Sequence, residues 1–147
     1  NRKDMMKEIH SYWAYLVVLM LLFAVFNAIM GLSKKREFTD KDVRIGLFTL
    51  IVSHLQLLIG LGWYFMSPAY KALKTNSAEV MGNSASRLLA VEHPLMMLIA
   101  IVLITIGWSK HKKKTEDAAK FKTFALFYGL ALLFILSRIP WNQWFQF

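Results

Sequence analysis

Residues 11–32 read SYWAYLVVLMLLFAVFNAIMGL, an apolar run with no charged side chain along its length. About 20 such residues in a helix cross roughly 30 Å of hydrocarbon. Residues 45–66 and 88–108 repeat the pattern at the same length. A fourth run, 123–137, continues through Arg138, Ile139, Pro140 and Trp141 into an aromatic tail. Apart from histidine, the first, second and fourth runs meet no acidic or basic residue until their ends. The chain is expected to be all-α, an integral membrane up-down four-helix bundle. Its single four-span domain covers residues 1–147, with spans near 11–32, 45–66, 88–108 and 123–141.

Composition agrees. Hydrophobic residues make up 56% of the 147 positions, more than a soluble core requires. The formal charge of +9 invites a nucleic-acid reading, but the basic residues stand beside the apolar runs rather than along one face of a soluble fold. Anionic lipid headgroups and topology signalling explain them better, so no nucleic-acid partner is expected. No cysteine is present, which excludes disulfides, thiolate ligands and covalent haem attachment through C-x-x-C-H. The first run is expected to be a true span, because it lacks a small-residue cleavage site and runs into Ser33-Lys34-Lys35-Arg36.

Charge sets the expected orientation. Lys34, Lys35, Arg36, Lys41 and Arg44 follow the first run, and six lysines between Lys110 and Lys122 follow the third. The other seven of the 18 basic residues lie toward the opposite side. The positive-inside rule then places these two loops in the cytoplasm. Both termini and the 67–86 loop fall on the outer side of an inner (plasma) membrane, with Trp13, Trp63, Trp141 and Trp144 near the outer headgroups.

Two stripes recur at helical spacing. Ala14, Val17, Leu21, Ala24, Ala28 and Gly31 share a face with His10, and Ala90, Met97, Ala100, Ile104 and Gly107 share one with His93. Small residues let membrane helices approach closely, or leave room for a flat ligand between them. Ionisable residues at membrane depth are costly and usually face an interior, a cavity or a cofactor. His10 lies six residues beyond Asp4 and His93 six beyond Arg87, each roughly 9 Å along its helix from one membrane face. Two imidazoles at one depth suit the axial positions of a haem iron. Zinc would need three or four clustered ligands, which the chain does not offer.

The expected metal ligands are therefore His10 and His93, and the expected cofactor is non-covalent haem b. Arg87 and Arg138, at the same face, are expected to hold its propionates by bidentate pairing; the alternative is that both snorkel to lipid phosphate. His54 lies deeper, as a further cofactor-binding candidate. It joins a quinone or proton path with Glu92, or it is a core histidine satisfied by its neighbours. His111, in Ser-Lys-His-Lys-Lys-Lys, is expected in cytoplasmic solvent.

At these residues the chain resembles one four-helix half of the haem A synthase family. The second run contains His54-Leu-Gln56-Leu-Leu-Ile-Gly60, and the third opens with Arg87-Leu-Leu-Ala-Val-Glu-His93-Pro. The resemblance implies a four-helix unit in which a histidine early in the first helix, preceded by glutamate as His10 is by Glu8, pairs with the third-helix histidine at His93. Gln56 and Gly60 match the second-helix motif in type. The family's paired loop cysteines are absent, so the resemblance implies haem b binding rather than haem A synthesis. The same features resemble small four-helix cytochrome b-like proteins, which implies electron transfer to or from quinone or a partner complex.

An alternative class is a non-catalytic accessory subunit or assembly factor, docking on a larger membrane complex or on its own copies. A small transporter or proton channel using His54 and Glu92 is disfavoured by the lack of internal repeats and broken helices. Neither a phosphate loop nor a Ser/His/Asp set argues for a hydrolase. Whether the chain is itself an enzyme is left open.

Overall fold

The computed structural model describes residues 1–144, and among them every regular element is helical. Four long helices, α1 (Arg2–Ser33), α2 (Asp40–Met66), α6 (His93–Lys112) and α7 (Asp117–Ser137), are joined by short connections. Between α2 and α6 lie α3 (Pro68–Thr75), α4 (Ser77–Gly82), α5 (Ser84–Arg87) and a π-helical turn, Leu88–Glu92. A short α8 (Trp141–Trp144) follows α7. Four helical stretches are long and apolar enough to cross a membrane: Arg2–Ser33, Asp40–Met66, Ser84–Lys112 and Asp117–Ser137. Each extends beyond its apolar run into charged flanks, the fourth only at its start, from Asp117 through Lys122. At its other end that helix stops at Ser137 rather than reaching 141, because Pro140 cannot continue it. The aromatic tail past Trp144 lies outside the described residues.

Local chemistry accounts for the ends. The Asn1 side chain accepts from the Lys3 and Asp4 amides, capping α1. At its other end Lys35 takes φ 54°. The Arg36 amide bonds the Gly31 carbonyl at 2.9 Å and the Lys35 amide bonds Leu32 at 3.3 Å. This is a Schellman closure with lysine where glycine is usual. The next turn is held by Asp42, whose carboxylate accepts from the Thr39 amide (2.8 Å), the Asn27 amide group (2.8 Å) and both terminal nitrogens of Arg36 (3.0 and 3.1 Å). Those bonds raise the Arg36 pKa above its ordinary value.

α1 packs beside α2 and α7, and α6 beside α7 and α2. The stripe Val17, Leu21, Ala24, Ala28, Gly31 is buried on α1, and Ala100, Ile104 and Gly107 are buried on α6. A Cβ at Gly107 would stand 2.6 Å from Phe127 Cβ, so α6 and α7 approach too closely for any other residue there. Tyr128, fully buried, donates to the Gly46 carbonyl at 2.8 Å and joins α7 to α2. Trp13 joins α1 to α2 by donating to the Val52 carbonyl at 2.8 Å.

The π-helical turn has an identifiable cause. Pro94 has no N–H for the Ala90 carbonyl four residues earlier, and its ring crowds that oxygen. The helix widens, and the His93 amide reaches back to Leu88. The Ala90 carbonyl takes the Tyr64 hydroxyl instead, at 2.7 Å.

Candidate functional site

His10 on α1 and His93 at the start of α6 face each other with ring centroids 6.3 Å apart and planes crossed at 79°. Both line a cavity of ≈ 440 Å³ that also takes in Ser53, Gln56 and Gly60 of α2 and Trp144 of α8. That volume falls within the range of small-molecule and cofactor pockets. A metal ion gripped by two facing nitrogens at about 2 Å each sets the imidazole centroids about 6 Å apart. The observed spacing fits.

Each imidazole is positioned by a different element. His93 Nδ1 lies 2.8 Å from the Arg138 carbonyl oxygen. A carbonyl only accepts, so Nδ1 carries the proton and Nε2 is left with its lone pair. His10 is set by α2: Gln56 Nε2 donates to the His10 carbonyl at 2.7 Å. A Cβ at Gly60 would come within 3.0 Å of His10 Cε1 and 3.4 Å of Nδ1, so the absence of a side chain there makes room for the ring. α8 folds back over this end. Trp144 stacks on Tyr15 at 4.5 Å, and its indole N–H donates to the Ser11 carbonyl at 3.2 Å.

Three buried side-chain polar atoms have no hydrogen-bond partner among the described residues: His10 Nδ1, Ser53 Oγ and Gln56 Oε1. All three residues line the one cavity. Unsatisfied buried polar atoms are uncommon and costly, roughly 1–3 kcal/mol each.

Arg87 and Arg138 converge on Glu92. Arg87 Nε donates to Glu92 Oε2 at 2.8 Å, and Arg138 Nε lies 3.7 Å from Glu92 Oε1. Glu92 thus sits between two guanidinium groups, and none of the three lines the cavity. His54 is also apart from it. Its Nδ1 bonds the Leu50 carbonyl at 2.8 Å, and its Nε2 lies 3.3 Å from the Thr105 hydroxyl.

His111 overturns the solvent-exposed expectation. It is 3% exposed, packed against Trp108 and Phe124 at 4.6 and 4.4 Å between ring centroids. The α6 stripe Ala100, Ile104, Gly107 continues one turn to position 111, which carries this residue inward despite its lysine neighbours. Ser53 had a similar signal. Positions 53, 56 and 60 share one helix face, so the glutamine and glycine of the second-helix motif already pointed to it.

No group of three or more His, Cys, Asp or Glu capable of holding a metal occurs among the described residues. No family model, curated protein or solved structure matches the chain. The family resemblance accordingly rests on the short motifs that carry it.

Proposed function

We propose that this chain is a b-type haem membrane protein that carries electrons to or from quinone or a partner complex. The observation that supports this most is the His10–His93 pair, spaced for a shared metal and lining one cavity. Two nitrogens alone hold few metals well. A porphyrin would supply the remaining nitrogen donors, with His10 and His93 as the protein's contribution. Bound haem b provides a one-electron couple.

The chain's own residues would do the rest. His93, with its proton committed to Arg138, and His10 offer nitrogens to the iron. Ile101, Ile135 and Ile139 exclude water, which helps set the potential. Arg87, Glu92 and Arg138 stand outside the cavity, close in sequence to its lining residues Leu89, His93 and Ile139; the two arginines outweigh the glutamate by one positive charge and would hold propionates by exchange with that carboxylate. The helices would form an up-down bundle inserted in the inner membrane. Tyr12, Leu19, Phe26 and Leu58, each more than three-fifths exposed, would meet lipid. Both termini would lie on the outer side. Absorption spectra of the purified protein, oxidised and then dithionite-reduced, test the reading; a low-spin b-type spectrum is expected, and no Soret band even after hemin addition would refute it.

A further inference from the structure

Two of the orphaned atoms are complementary. His10 Nδ1 can donate a proton and Gln56 Oε1 can only accept one, and both are buried without a partner. The glutamine is already anchored to the right residue, through its Nε2 bond to the His10 carbonyl. The ring is turned to suit. Against a Cβ built at Gly60, His10 Nδ1 would be 3.4 Å away and Nε2 4.0 Å, so the Nδ1 edge is the one nearer α2. Gln56 lies one turn from Gly60 on that helix.

We propose that Gln56 is a positioning residue for His10: its Oε1 accepts the Nδ1 proton and leaves Nε2 as the lone-pair nitrogen. The bond from Gln56 Nε2 to the His10 carbonyl leaves Oε1 free to serve as this acceptor. His10 then matches His93, whose Nδ1 proton goes to the Arg138 carbonyl. Both imidazoles present the same nitrogen, one fixed by a backbone oxygen and one by a side chain. An acceptor at Nδ1 also makes the opposite nitrogen a stronger donor to metal. The tautomer assignment stands on its own; the consequence for iron rests on the haem reading.

Nitrogen-15 NMR of the full, haem-free chain with labelled histidine, in detergent, separates the two. Wild-type His10 is expected as the Nδ1–H tautomer, with Gln56→Glu keeping it and Gln56→Leu losing the preference. An Nε2–H tautomer in the wild type, or no change in Gln56→Leu, overturns the proposal. If the leucine variant does not fold, the wild type and Gln56→Glu still decide. After hemin addition, Gln56→Leu should raise the midpoint potential while Gln56→Glu stays at or below wild type. A hemin-bound Gln56→Leu at the wild-type potential overturns the role toward iron. A wild type that takes up no hemin overturns that role together with the haem reading, and leaves the tautomer to be judged by NMR.

Discussion

His93 Nδ1 lies 2.8 Å from the carbonyl oxygen of Arg138, so the place where α7 ends fixes the orientation of a ring on α6. Removing either member of the facing pair, by His10→Ala or His93→Ala, should abolish the low-spin spectrum of the dithionite-reduced protein. His54→Ala should leave it intact, because that ring is occupied by Leu50 and Thr105 outside the cavity. Loss of haem in the His54 variant alone would mean that the wrong histidines have been paired.

The charge cluster gives a signed test. On the haem reading, Arg87→Gln or Arg138→Gln removes a positive charge beside the cavity and should lower the midpoint potential, while Glu92→Gln should raise it. Each arginine change should also weaken haem retention, by a few-fold rather than completely, since partly exposed charges are screened within about 10 Å in ordinary salt. Redox titration of the three variants checks both signs.

Tyr64→Phe leaves the Ala90 carbonyl without its donor at the π-helical turn. A lost hydrogen bond of this kind costs about 1–3 kcal/mol, which should appear as a lower thermal midpoint in detergent. The reduced haem spectrum of the variant should keep its shape.

His111→Ala should also destabilise the chain, by about 2–4 kcal/mol, as expected for truncating a buried ring. Its haem spectrum should remain that of the wild type, since the residue packs with Trp108 and Phe124 rather than in the cavity.

Orientation is checked by reporter fusions. Those placed after Lys35 and Lys113 should report cytoplasm, and one after Asn76 should not. A Lys35 fusion reporting the outer side would reverse the topology and move the cavity to the opposite membrane face.

Much of the helical architecture could be read from the chain, because uninterrupted apolar runs leave few alternatives and small-residue stripes mark the faces that meet. The proximity of His10 and His93 followed from counting residues from one end of each helix. Other features depend on rotation and long-range contact, which counting does not supply. Arg87, Glu92 and Arg138 come together only after Pro94 has widened the helix and Pro140 has ended α7. His111 lies among lysines in sequence, yet helical phase turns it inward. The return of Trp144 to Ser11 needs the whole fold to be in place.

A π-helical turn accommodates one residue more than the α-helical turn it replaces. Leu88–Glu92 therefore acts as an angular gear between the 67–86 segment and α6, which carries His93. Deleting one residue there would swing Arg87 about 100° around the axis, away from its carboxylate, while Pro94 and His93 kept their places. The number of residues in this turn, more than their identity, sets whether Arg87 meets Glu92.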